Sequence, residues 1–167
     1  IQNATASGSV TETAQLGRVG GLVGTNFGNI TDASASTTAN ASGKLGQAGG
    51  LVGGNRGIIT DTSASGSVTG REDLGGLVGI NNVDGLVQNA TASGSVTGTR
   101  ELGGLVGSNL GTIRDTFAVG RVTGTGSVTG DRDVGGLVGE GGGATKQSYF
   151  DINTTGQDTS DGGTGLT

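Results

Sequence analysis

Residues 101–124 read "ELGGLVGSNLGTIRDTFAVGRVTG", and the outline of that stretch recurs along most of the chain. The word GGLVG begins at Gly20, Gly49, Gly75, Gly103 and Gly135. Its leucines, Leu22, Leu51, Leu77, Leu105 and Leu137, lie 29, 26, 28 and 32 residues apart. A period of that size is one turn of a solenoid, with two or three strands, and not a domain of its own.

The variation in period is localised. From the marker leucine to the next isoleucine is 8 residues in three repeats (Leu22 to Ile30, Leu51 to Ile59, Leu105 to Ile113), and Leu77 to Val87 is 10. The next step is 9 residues in four repeats: Ile1 to Val10, Ile59 to Val68, Val87 to Val96, Ile113 to Val122. From that valine to the following GG the count is 10, 7, 7 and 13. Two segments are nearly fixed and one corner absorbs the insertions. Stacked coils impose this pattern, because residues that sit on one another cannot change in number while a corner loop can bulge outward.

Within a repeat the residues read as strands. In "NATASGSVTG" (89–98), Ala90, Ala92 and Val96 share one parity, and Thr91, Ser93, Ser95 and Thr97 the other. No helical periodicity is sustained anywhere, so essentially no helix is expected. A step of 9 flips the parity between Ile113 and Val122, which calls for a bulge, and Gly120 is the expected place, with Gly8, Gly66 and Gly94 its equivalents. Leu and Val are adjacent in every GGLVG, so one faces out unless the chain turns between them.

Composition bounds the function. The chain has 39 glycines in 167 residues but no proline and no three-residue period, which excludes collagen. A net charge of -5, with nine scattered Lys and Arg, argues against nucleic acid. No apolar run approaches the ~20 residues of a membrane-spanning helix. The absence of cysteine decides nothing about compartment. The chain opens at Ile1 in mid-repeat, as a segment of something longer would.

Two polar series recur in step with the repeat. Asn26, Asn55 and Asn109 follow the last glycine of GGLVG by two residues. Asp32, Asp61 and Asp115 follow the isoleucine by two, with Asn3 and Asn89 in that place elsewhere. Equivalent residues of a parallel coil stack about 4.8 Å apart. Asn26, Asn55 and Asn109, and likewise Asp32, Asp61 and Asp115, are therefore expected to form structural ladders, the amides bonding side chain to side chain and satisfying a turn. Asp and Asn oxygens also suit calcium, but the glycine-rich nonapeptide calcium pattern is missing, so no metal or other cofactor is expected. Charge gathers at the variable corner: Arg71, Glu72 and Asp73, then Arg100 and Glu101, then Asp131, Arg132 and Asp133. This is either a solvated rim or a set of ligand-facing loops. The Thr and Ser positions, repeated at Thr5, Ser7, Ser9 and Thr11 and at Ser63, Ser65, Ser67 and Thr69, form a flat hydroxylated face that suits carbohydrate or ordered water.

"GGLVGSNLGTIRDTFAVGRVTG" and its partners resemble GLUG-motif repeats. Such repeats occur in large secreted or surface proteins of bacteria and archaea, among them filamentous-haemagglutinin-like adhesins and non-catalytic parts of M26 immunoglobulin A peptidases. The tail "SYFDINTTGQDTSDGGTGLT" (148–167) looks like the segment that closes such arrays. Two stretches depart from the pattern: "DASASTTANASGKLGQAGG" lacks the GSVTG word, and "EGGGATKQ" after Leu137 replaces the asparagine turn. The resemblance implies an all-β parallel β-helix, or β-solenoid, of about five to six coils, with repeats over 1–147 and a closing segment over 148–167 of the same domain. It further implies a bacterial or archaeal cell-surface or extracellular setting.

Catalysis is not expected. There is no His for a His-Glu-x-x-His zinc site, and no His or Cys for a nucleophilic scheme. Paired carboxylates could serve glycosidic chemistry, but here the aspartates lie in stacked turns or corner loops. The expectation is a non-enzymatic stalk or spacer of a large adhesin. Its partners would be a host or cell-surface glycan or protein, with no nucleic acid and no membrane span in this segment. The alternatives are a fibre that self-associates end to end, and a carbohydrate- or ice-binding face.

Overall fold

The computed structural model describes residues 1–125 and 133–167. The chain winds through five coils of four short strands each. The first holds β1 (Thr5–Ala6), β2 (Ser9–Glu12), β3 (Arg18–Gly20) and β4 (Val23–Asn26). The second holds β5 (Asn29–Ala35), β6 (Thr38–Ala41), β7 (Gln47–Gly49) and β8 (Val52–Asn55). The third holds β9 (Ile58–Ala64), β10 (Val68–Gly70), β11 (Leu74–Gly75) and β12 (Val78–Asn81). The fourth holds β13 (Leu86–Ala92), β14 (Val96–Gly98), β15 (Leu102–Gly103) and β16 (Val106–Asn109). The fifth holds β17 (Thr112–Ala118), β18 (Val122–Gly124), β19 (Val134–Gly135) and β20 (Val138–Glu140). Each strand pairs in parallel with its counterparts one coil away, which gives four sheets, numbered 1 to 4 from the strand that opens each coil. The coil thus has four strands where the repeat length suggested two or three. Strands of two to four residues at three of the four sides leave no alternation long enough to read.

The corner between sheets 3 and 4 explains the adjacent Leu and Val. Both are buried in the second to fifth coils, as in Leu77 with Val78 and Leu105 with Val106, and partly buried at Leu22 and Val23 in the first. The chain turns at the leucine, and the Leu105 carbonyl accepts from both Leu77 N (2.9 Å) and Val78 N (3.0 Å). Only glycine fits just before it: a Cβ on Gly75 would sit 1.9 Å from the Val78 carbonyl oxygen. The second glycine faces sheet 1 at close range, and a Cβ on Gly76 would lie 3.0 Å from the Ala92 methyl. This Gly–Ala contact pinches the cross-section and divides the interior into two thin apolar columns. One contains Ile59, Leu77 and Val87, the other Val68, Leu74 and Val96.

The parity flip in sheet 1 is not at glycine. Asn3, Asp32, Asp61, Asn89 and Asp115 all have positive φ, between 48° and 55°. Pairing skips them: Gln88 pairs with Arg114 and Ala90 with Thr116, leaving Asn89 and Asp115 outside the ladder. One such bulge per coil in sheet 1, stacked on the next, reverses the alternation there. Asp and Asn are the non-glycine residues that most readily enter the left-handed region. The expected bulge glycines do another job. Gly66, Gly94 and Gly120 form a corner where coils touch, and a Cβ on Gly94 would meet the Gly66 carbonyl oxygen at 1.9 Å. Thr37, 1% exposed, stands in that place in the second coil, and its hydroxyl donates to the Gly21 carbonyl at 3.3 Å.

The two ends differ. At the C-terminal end, β21 (Ala144–Lys146) and β22 (Tyr149–Asp151) pair with β17, and β23 (Thr164–Leu166) pairs with β22. A single turn of helix, α1 (Ile152–Thr155), follows β22, with Asp151 accepting from Asn153 N and Thr154 N. Phe150, 2% exposed, takes the place that Ala118 holds one coil earlier. The Ser160 hydroxyl accepts from Leu137 N (3.2 Å) and Val138 N (2.8 Å), and Gln157 Nε2 donates to the Val122 carbonyl. The free edges of sheets 2 and 4 are met in this way. At the N-terminal end, β1 to β4 each have a neighbour on one side alone. No helix among the described residues is long and apolar enough to cross a membrane.

Candidate functional site

Four surfaces carry the polar residues that recur with the repeat. The first is the turn from sheet 4 to sheet 1. Asn26 Nδ2 donates to Asn55 Oδ1, Asn55 Nδ2 to Asn81 Oδ1, and Asn81 Nδ2 to Asn109 Oδ1, each at 2.9 Å. Each amide also holds its own turn: Asn55 Nδ2 reaches the Gly57 carbonyl at 3.0 Å, and Gly57 N returns to Asn55 Oδ1 at 3.2 Å. All four asparagines are 6% exposed or less. Asn81 is the member that the sequence reading passed over, although it follows Gly79 at the same offset of two. Its turn runs to Gly85 and is two residues longer than that of Asn55, which is where the spacing of 10 arises. The ladder ends at Asn109, whose buried Nδ2 has no partner among the described residues.

The second surface is the bulge column of sheet 1, which brings Asp32, Asp61 and Asp115 into one exposed line with Asn3 and Asn89. Asn89 Nδ2 donates to Asp61 Oδ1 at 3.1 Å. These residues shape the backbone, and their carboxylates face solvent.

The third surface is the variable corner and the outer side of sheet 3. Arg18 opens β3, and Gln47 pairs with it one coil on. Asp73, Glu101 and Asp133 precede the paired residues Leu74, Leu102 and Val134, so they stack in consecutive coils. All three have positive φ, at 52°, 54° and 30°. Asp73 is 7% exposed, and Gln47 Nε2 donates to its Oδ2 at 2.9 Å, so this aspartate is not part of a solvated rim. A hydrogen bond to Asp73, burial, and the Asp73 charge together push the Glu101 carboxyl up to about 8. Glu140, on the outer side of sheet 4, is raised as well, chiefly by the charge of Glu101. Arg100 bonds Glu72 across one coil, and that contact raises the guanidinium further. Arg71 is exposed on the same corner, and its carbonyl accepts from Thr99 N and Arg100 N. Asp131 and Arg132 lie outside the described residues.

The fourth surface is the hydroxylated face. Thr5, Ser34, Ser63 and Thr91 stack in one column, interrupted by Phe117 and then Tyr149. Along sheet 2, Thr69 and Thr97 stack with Thr123.

Parallel sheets in register, a stacked column of left-handed Asp and Asn residues in sheet 1 and a buried amide ladder define a repeat-built β-solenoid. The GLUG motif is recognised at residues 16–40, 45–69 and 70–97, and the span 16–97 is an array of GLUG-motif repeats. Neither curated proteins nor solved structures gave a match to the chain. The fourth and fifth coils, from Leu86 to Glu140, continue the register of the matched repeats.

Proposed function

We propose that the chain is a non-enzymatic structural segment, a rigid spacer within a large secreted or cell-surface adhesin. The observation that carries this reading is the continuity of contacts along the axis. Each coil bonds the next through all four sheets, and the asparagine ladder joins the first four coils, so bending requires breaking several contacts at once. At about 4.8 Å per coil, five coils extend a polypeptide by roughly 24 Å. Tandem copies of such a unit hold a distal binding domain away from a surface. The fibre alternative needs two open ends, and residues 148–167 lie across one of them.

The test uses the intact protein. Antibody against this segment labels unpermeabilised cells, and electron microscopy shows the segment inside a straight rod. An internal location overturns the reading. So does turnover of a polysaccharide or peptide by the purified chain that disappears on a single Asp→Asn change.

A further inference from the structure

We propose that the groove along sheets 3 and 4 over the first three coils binds a carboxylate-bearing saccharide unit. The groove has a volume of about 450 Å³, within the ~300–1,000 Å³ of small-ligand sites. Arg18, Thr25 and Gln47 line it, with Leu16, Leu45 and Glu72 from the corner loops of three successive coils.

Arg18 is the recognition group, and the fold presets it. Its stem crosses Gly54, where a Cβ would lie 3.1 Å from Arg18 Cδ and 3.2 Å from Nε. Arg18 Nε donates to Gln47 Oε1 at 2.7 Å, and Gln47 in turn donates to the buried Asp73 at 2.9 Å. The relay fixes one edge of the guanidinium and leaves its terminal amino groups without a partner among the described residues. A guanidinium held this way offers two parallel N–H donors, the fork that a carboxylate fits. Glu72, the acid among the lining residues, is paired with Arg100. The groove therefore accepts an anion locally although the chain carries a net charge of -5.

The rest of the lining selects a sugar. Leu16 and Leu45 are 78% and 42% exposed, so the corner loops hold apolar side chains in water beside Arg18. A pyranose ring presents one apolar C–H face and a rim of hydroxyls. The leucines suit the first, and Thr25 with the Gln47 amide suits the second. A hexuronate adds the carboxylate at the ring edge, where Arg18 lies. A free sugar acid and a unit of a longer polyuronide share this chemistry.

The probes are a galacturonate trisaccharide, galacturonic acid and a neutral galactose trisaccharide, titrated into the full chain by calorimetry and by NMR shifts. The acidic trisaccharide binds, and the neutral one binds at least about tenfold more weakly, since a bidentate ion pair is lost. Stronger binding of the trisaccharide than of the monosaccharide marks a polymer as the source, and equal binding marks a free acid. Arg18→Gln lowers affinity about tenfold or more, Arg18→Lys less, and Leu16→Ser with Leu45→Ser several-fold. Arg121→Gln, on a different corner, leaves affinity unchanged, and melting curves check that each variant is folded. No binding at millimolar concentration overturns the proposal. Equal binding of the neutral sugar, or an Arg18→Gln variant with parental affinity, does the same. An oligoglutamate that binds more tightly than the uronide assigns the groove to acidic peptides and also overturns it. None of these failures touches the spacer reading, which rests on the axial contacts.

Discussion

The side-chain amide of Asn55 donates to Asn81 one coil away at 2.9 Å and to the Gly57 carbonyl of its own turn at 3.0 Å. One buried residue thus closes a turn and welds it to its neighbour. Asn55→Ala removes the acceptor used by Asn26 Nδ2 and Gly57 N and the donor used by Asn81. Groups left unpaired in a buried site cost about 1–3 kcal/mol in total stability. Urea unfolding of the variant against the parent measures this, and a difference near zero contradicts the ladder's stabilising role.

The bulge column makes a different demand. Asp61 has φ 53° and its counterpart Asn89 has φ 48°. Asp61→Asn is expected to be nearly neutral, because asparagine already occupies the position one coil on. Asp61→Val places a β-branched residue in the left-handed region, at a cost of about 1–3 kcal/mol. Paired melting curves for the two variants decide it: similar losses would mean that the bulge does not constrain this residue.

Glu101 gives the chain a pH signature. Its carboxyl titrates at about 8 in the folded state, from a usual value of 4.5, because it shares a proton with Asp73 and is partly buried. The folded state therefore holds a proton that the unfolded state gives up. The stabilisation is complete below pH 4.5 and is lost as pH rises toward 8. Glu140, raised for a related reason, acts in the same direction. Glu101→Gln keeps a donor for Asp73 and removes the titration. Its advantage over the parent should grow from pH 5 to pH 8.5 and reach a few °C in Tm. A difference that is flat with pH contradicts the shared proton.

The tail supplies the fourth prediction. Phe150 covers the last coil beside Gly136, where a Cβ would lie 2.0 Å from the ring, and Ser160 meets the edge of β20. Deletion of residues 148–167 uncovers parallel edges and a thin apolar section, and the truncated chain should aggregate or stack end to end. If light scattering shows a monomer that melts with the parent, the tail is a linker and no more.

Much of this architecture was legible in the repeat. The nearly constant steps of 8 and 9 residues marked the segments that pair strand on strand, and the variable count marked the corner loop between sheets 2 and 3. The parity of Ala90, Ala92 and Val96 marked the buried side of β13 and, past the corner, of β14. Other features were hidden for physical reasons. A bulge at Asp61 looks like a turn aspartate, and the glycine nearby drew the assignment because close coil-to-coil contact and backbone freedom both select glycine. Asp73 sits among charged residues in sequence, and its burial depends on Gln47, which is 26 residues away. The groove beside Arg18 gathers residues from three coils, and no local spacing marks it.

The central claim is that successive coils lie in parallel, one repeat apart, and it can be tested by crosslinking because the chain has no cysteine. Ser63 pairs with Thr91 in adjacent coils, while Ser34 lies one coil further down the same column. Disulfides need Cα atoms about 4.4–6.8 Å apart, which suits neighbouring coils and excludes coils two steps apart, at about 9.6 Å. Mild oxidation of the Ser63→Cys/Thr91→Cys variant should give an intramolecular disulfide in nearly all molecules, read by mass spectrometry after digestion, and the Ser34→Cys/Thr91→Cys variant should give none. A bridge in the second variant, or its absence from the first, would contradict the stacked parallel register.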